Sequence, residues 1–179
     1  MIDEKALIKQ LGDPSTKESA FTHLVREYQE PLYWQIRKMV LIHDDADDVL
    51  QNTFIKAWSA IDSFRGESRL QTWLFRIAIN ESLNHLSKKK QVLSLDQDDG
   101  SIAGMLASDS YFDGDEVQRQ FQSAIGSLPE KQRLVFNLKY FDEMKYEDIS
   151  DLLGTSIGAL KASYHHAVKK ISTFFENLD

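Results

Sequence analysis

Residues 92–118 hold seven Asp and Glu and no Lys or Arg, and this stretch carries the whole formal net charge of −7. On its N-terminal side, residues 1–91 contain 13 basic and 13 acidic side chains; on its C-terminal side, residues 119–179 contain 8 of each. The segment has weak periodicity, three glycines (Gly100, Gly104, Gly114) and several Ser/Asp turn signals. Such a composition predicts a flexible acidic linker that separates two domains, 1–91 and 119–179. An ordered long loop within one domain is the alternative, and long structureless loops are uncommon in compact domains.

Both flanks are helical in pattern and lack strand-like alternation, so the expected fold is all-α. Over residues 16–42, Phe21, Leu24, Val25, Tyr28, Leu32, Ile36, Met39 and Val40 recur at spacings of three and four. Pro31 is expected to kink or split that helix. Residues 45–61 carry a stripe of Leu50, Phe54, Ala57, Trp58 and Ile61, and residues 70–87 repeat it with Leu70, Trp73, Leu74, Ile77, Ala78 and Leu86. A Gly-containing loop, DSFRGESR, joins them. The second domain is expected to open at SLPEKQR, with Pro129 in a first helical turn.

Composition narrows the function. Hydrophobic residues make up 42% and aromatics 11%, as in globular proteins. Without cysteine there is no disulfide, thiolate nucleophile or zinc knuckle. The charged start MIDEKALIKQ does not read as a signal peptide, and no stretch approaches the roughly 20 apolar residues that cross a bilayer. The expectation is a soluble cytoplasmic protein without membrane insertion.

Residues 146–171, YEDISDLLGTSIGALKASYHHAVKKI, place a short helix with Ile149, Leu152 and Leu153 before Gly154, a C-cap candidate. Thr155 or Ser156 can then cap a second helix burying Ile157, Leu160, Ala167, Val168 and Ile171. That order is a helix-turn-helix. From Ser156 to Lys170 the second helix has no acidic residue, and Lys161, Ser163, His165, His166 and Lys169 supply donors for phosphates and base edges. An ordinary helical hairpin with exposed Lys and His would show the same features. His165 and His166 point about 100° apart on a helix, so they cannot share one metal ion.

Residues 63–90 set six basic side chains (Arg65, Arg69, Arg76, Lys88, Lys89, Lys90) against Glu67 and Glu81. Phe64, Trp73 and Phe75 are interleaved with them, as are the amides of Asn80 and Asn84. Cations for phosphates, rings for unstacked bases and amides for base edges suit single-stranded nucleic acid. A helix end with core aromatics and solvating lysines fits the pattern equally well. Finally, HDDADDVLQNTFIKAW (43–58) gathers Asp44, Asp45, Asp47 and Asp48 where a helix begins, where anions cap free N–H groups and complement the macrodipole. Asp44 and Asp48 could share a Mg²⁺, yet the spacing is not that of a calcium loop and no catalytic partner accompanies it. A surface read by another protein is the stronger reading.

Together, DDADDVLQNTFIKAW, DSFRGESRLQTWLFRIAIN and SLPEKQRLVF…YEDISDLLGTSIGALKASYHHAVKKI resemble the extracytoplasmic-function group of bacterial sigma factors, in order and across nearly the whole chain. The resemblance implies a region-two domain that binds core RNA polymerase and the single-stranded minus-ten element. It also implies a region-four helix-turn-helix that reads the duplex minus-thirty-five element. By position it assigns Asp47, Asp48, Gln51 and Asn52 to polymerase; Asn52 stands where the family usually has Glu. Phe64 and Arg65 fall in the loop that captures a flipped minus-ten base, and Lys56, Arg76, Ile77 and Asn80 on the adjoining DNA face. In the recognition helix the matching positions are Lys161, Ala162, Ser163 and His166, with two of the family's usual arginines replaced; Ser156, Gly158, His165 and Lys169 complete the expected minus-thirty-five set. The family often pairs with an anti-sigma factor, frequently membrane-anchored; no cofactor is expected for this chain.

Such a protein catalyses no bond chemistry. Flipping a base costs a few kcal/mol, which stacking and base-edge hydrogen bonds of about 1–3 kcal/mol each offset in part. With no net-positive domain, the free chain is expected to bind duplex DNA weakly. The acidic linker could occupy a basic polymerase channel by charge mimicry, or serve only as a spacer. Two other classes compete: a dimeric helix-turn-helix repressor acting on palindromic sites without polymerase, and a small metal-dependent hydrolase resting on the aspartates alone.

Overall fold

The computed structural model describes residues 3–93 and 116–177, all-helical throughout, and divides the chain into two compact units, Met1–Gln97 and Asp98–Asp179. The central part of the expected linker lies outside the described residues. Its two ends are helical, since one helix runs on to Leu93 and the next begins at Glu116.

The first unit is built from α1 (Glu4–Leu11), α2 (Lys17–Val40), α3 (His43–Ala60) and α4 (Leu70–Leu93), with a single 3-10 turn at Ile61–Ser63. Asp3 caps α1, its Oδ1 accepting from Lys5 and Ala6 N–H at 3.1 and 3.2 Å. Glu4 then reaches the start of α4, where Leu70 N–H donates to its Oε1 at 2.6 Å. That carboxylate satisfies an otherwise free N–H and complements the helix dipole. Leu24, Leu32, Ile36, Val49, Leu70, Leu74 and Ile79 form the interior among α2, α3 and α4.

Two expectations change here. Pro31 does not split α2, which is continuous from Lys17 to Val40. The proline itself is exposed, and buried Leu24, Leu32 and Ile36 flank it. Burying each such side chain contributes about 1.5–3 kcal/mol, together more than the ~3 kcal/mol cost of an interior proline. The buried stripe of α3 is also turned from the expected one: Ala46, Val49, Thr53 and Ala57 face inward, while Leu50 and Phe54 are half-buried and Trp58 is exposed. Small residues on that line admit close approach of α2 and α4. The Thr53 hydroxyl is buried harmlessly because it donates to the Val49 carbonyl at 2.7 Å.

The second unit holds α5 (Glu116–Gly126), α6 (Glu130–Tyr140), α7 (Tyr146–Leu153) and α8 (Ile157–Glu176). Helix α5 precedes the expected opening at SLPEKQR and supplies Ala124 and Ile125 to a core with Leu128, Phe136, Ala167 and Ile171. Phe121, Phe141, Tyr164, Phe174 and Phe175 pack around it. Pro129 stands just before α6, in an extended conformation (φ −52°, ψ 141°), rather than inside its first turn. Arg133 on α6 is buried and its guanidinium lies 3.4 Å from the carbonyls of both Gly126 and Leu128. Burial holds its pKa below the ordinary arginine value, with Glu130 opposing that drop. No helix among the described residues is long and apolar enough to cross a membrane.

Candidate functional site

The acidic start of α3 has two faces. Ile42 occupies the N-cap position without a side-chain hydrogen bond, so the aspartates follow the cap instead of forming it, and Asp44 and Asp45 lie in the first turn. Asp45 is turned toward α4: its side chain is 17% exposed and its Oδ2 accepts from Lys89 Nζ at 2.5 Å. His85 Nε2 lies 3.2 Å from the other oxygen, without a hydrogen bond's alignment, and adds a charge partner only when protonated. Asp47, Asp48, Gln51 and Asn52 are all exposed. Asp47 lies 3.4 Å from His43 Nε2, and the Nδ1 of that histidine is 2.8 Å from the Tyr33 hydroxyl. Asp45 is thereby withdrawn from any shared ion, and no group of three or more His/Cys/Asp/Glu among the described residues could hold a metal.

Ile55 lies on the same open face and is 58% exposed. At about 100° per residue it falls between Gln51 and Asp48, in the middle of the arc. Sequence reasoning passed over it because an apolar side chain on an amphipathic helix is expected to turn inward. The signal was present: Ile55 falls off both the expected stripe and the observed one.

The loop after α3 carries Phe64, Arg65 and Gly66. Gly66 has φ +71°, left-handed backbone that favours glycine. This turn leaves Arg65 exposed and Phe64 half-buried, its ring 5.2 Å from that of Trp73 on α4. Beyond them on α4, Arg76 and Asn80 are exposed and Ile77 is half-buried. Lys56 reaches across from α3, its Nζ 2.5 Å from Glu81 Oε1. Phe64, Arg65, Arg76, Ile77, Asn80 and Lys56 thus all belong to the loop and to the paired helices α3 and α4.

In the second unit, α7 ends on Gly154 in the left-handed region (φ 60°, ψ 32°), as expected for the C-cap. Of the two candidate caps for α8, Ser156 serves, its Oγ accepting from Ala159 N–H at 3.3 Å. Gly158, Lys161, Ala162, His165, His166 and Lys169 are exposed, and Ser163 is half-buried. Val168, expected in the core, is 39% exposed; Leu160, Ala167 and Ile171 hold α8 instead. The His165 and His166 rings are 6.0 Å apart and inclined at 62°. Lys161 Nζ lies 5.7 Å from the centre of the Tyr146 ring, and Lys139 Nζ lies 5.1 Å from it. Burial raises the Tyr146 phenol above its ordinary pKa, and neighbouring Tyr164 adds to the rise.

Residues 24–92 match the Sigma-70 region 2 family and residues 118–171 the Sigma-70 region 4 family. The chain is 32% identical over 173 residues to the ECF RNA polymerase sigma factor SigW of Bacillus subtilis, a match covering 90% of each chain. It is 31% identical to the RNA polymerase sigma-H factor of Pseudomonas aeruginosa, covering 94% of this chain and 91% of that one. Among solved structures, the sigma factor RpoE of Bartonella quintana, crystallised with the anti-sigma factor NepR, is similar with a TM-score of 0.68 at 25% identity, over 87% of this chain and 96% of that one. CnrH, in complex with the cytosolic domain of CnrY, shares the fold with a TM-score of 0.64 at 24% identity, over 97% of each chain.

Proposed function

The chain belongs to the extracytoplasmic-function RNA polymerase sigma factors, and from that premise we propose how its residues divide the work of starting transcription. The protein brings RNA polymerase to specific promoters and assists their melting. We assign residues 1–91 to polymerase and minus-ten binding, 92–118 to the connection, and 119–179 to the minus-thirty-five element. The order of the two regional matches along one chain is the observation that carries this reading.

Asp47, Asp48, Gln51 and Asn52 dock on the core enzyme, together with Ile55. Their support is an exposed arc on a helix whose opposite side is anchored by Ala46, Val49, Thr53 and Ala57. Phe64, Arg65, Arg76, Ile77, Asn80 and Lys56 receive the minus-ten strand: a ring for a base, an amide for base edges, and two guanidiniums and an ammonium for phosphates. Gly158, Lys161, Ala162, Ser163, His165, His166 and Lys169, following the Ser156 cap, meet the major groove. No residue is given a role in bond chemistry, and the protein works in the cytoplasm, where polymerase is. Because RpoE was crystallised with an anti-sigma factor, we propose that this chain too is held by one.

Run-off transcription with core polymerase, with and without the protein, tests the assignment. Initiation at discrete start sites only when it is present is the expected outcome. Operator binding as a dimer, with no effect on initiation, would replace it by the repressor reading.

A further inference from the structure

Glu81 stands out on the minus-ten face as a carboxylate among cations. It follows Asn80 directly, its side chain is 12% exposed, and its Oε1 accepts from Lys56 Nζ at 2.5 Å and from Asn84 Nδ2 at 3.2 Å. Lys56 is itself assigned above to the single strand, and Asn84 lies one helical turn from Asn80, which is assigned there too. We propose that Glu81 is a specificity-determining residue: by discharging Lys56, it lowers the sequence-independent attraction of this face for DNA. Recognition then rests on the bases.

A cation that meets a single-stranded phosphate releases condensed counterions, and this entropy favours every sequence equally. Lys56 already has its counterion in Glu81, so a strand arriving there meets a near-neutral pair. One Lys56 N–H is directed to Glu81 and two donors remain for hydrogen bonds. Those donors retain geometric value while the long-range charge is cancelled. Phe64 and Asn80, whose contacts depend on which base is present, gain weight in the total. Asn84, tied to the same oxygen, is fixed on the adjoining turn of α4. This inference rests on the assignment of Lys56 to the minus-ten face.

Holoenzyme assembled from core polymerase and the full chain provides the test. The probes are a pool of short single-stranded oligonucleotides of random sequence and the sequence enriched from it by the wild-type holoenzyme. Glu81→Gln keeps an acceptor near Lys56 and removes the charge. It should tighten binding of the random pool about three- to tenfold and steepen the dependence of log affinity on log salt by about 0.7, the value for one more phosphate neutralised on a single strand. The preference for the enriched sequence should fall. Lys56→Ala in the Glu81→Gln background should cancel both changes, and Glu81→Asp, which retains the charge, should keep the wild-type slope. An unchanged slope and preference in Glu81→Gln, with Lys56→Ala still weakening binding, overturns the role of Glu81 and spares that of Lys56. If Lys56→Ala is silent in both backgrounds, the minus-ten assignment of Lys56 fails and the inference falls with it.

Discussion

Asp45 Oδ2 accepts a 2.5 Å hydrogen bond from Lys89 Nζ, so one of the four aspartates that open α3 is spent on holding α4. The other three, Asp44, Asp47 and Asp48, are exposed. A short acidic run therefore performs two tasks, an internal tie and an external surface, and substitutions within it should separate them.

Asp45→Asn leaves Lys89 without a carboxylate and should cost about 1–3 kcal/mol of stability, the range for a charge-assisted hydrogen bond in partial burial. Thermal unfolding would read this as a lower midpoint, while core-polymerase affinity, measured well below that midpoint, stays near wild type. Asp48→Ala with Gln51→Ala should do the reverse, weakening core binding about tenfold or more with the midpoint unmoved. Equal behaviour of the two variants would refute the division.

Ile55 supplies an apolar centre to the same arc. Burying it against a partner is worth about 1–2 kcal/mol, which is roughly five- to thirtyfold in affinity. Ile55→Ser should lose that much core binding, and because the side chain is exposed in the free chain, circular dichroism melting should be unaffected. A drop in melting temperature would instead assign Ile55 to the fold.

The helical architecture was legible because periodicity of three and four reports burial on one side of a helix, and α2, α3, α4, α7 and α8 all carry it. Departures arise where packing outweighs local preference. Pro31 sits on an exposed side of a helix anchored by Leu24, Leu32 and Ile36, so its lost hydrogen bond is outweighed. The α3 stripe runs through Ala46 and Thr53, which hydropathy ranks low but whose small size suits close packing. Helix α5 adjoins the acidic segment, whose composition masked Phe121, Ala124 and Ile125. Arg65, Asn80 and Lys161 were legible as polar donors, and all three are exposed. The ion pair between Lys56 and Glu81 was not, because the two residues lie 25 positions apart and only the packing of α3 on α4 joins them.

Gly66 tests the loop that presents Phe64 and Arg65. A Cβ there would meet nothing within 4 Å, so the cost of Gly66→Ala is the left-handed backbone itself, about 1–2 kcal/mol. Folding should survive. The loop should relax away from φ +71°, and promoter opening, followed by permanganate reactivity of unpaired thymines, should slow while core binding is retained. Opening at the wild-type rate would show that the turn does not position the loop.

Lys161 and Tyr146 offer a second separation. Lys161→Ala should weaken holoenzyme binding to duplex minus-thirty-five DNA and flatten the log–log salt dependence by about 0.9, the value for one duplex phosphate contact. Tyr146→Leu removes the ring beneath Lys161 Nζ and leaves the charge. It should weaken binding only a few-fold with the salt slope intact. A shallower slope in Tyr146→Leu would mean that the lysine no longer reaches the phosphate at all.

Arg133 should matter to the whole second unit while touching no DNA. Its buried guanidinium meets the Gly126 carbonyl, at the C-terminal end of α5, and the Leu128 carbonyl in the link to α6. Arg133→Met fills similar volume and leaves those carbonyls bare, at a cost of about 1–3 kcal/mol. Hydrogen exchange should then show faster opening of α5, α6 and α8 together, with α2–α4 unchanged. Minus-thirty-five binding should decline in step with that opening and recover on cooling. Loss of binding without any change in exchange would place Arg133 at the DNA surface instead of beneath it.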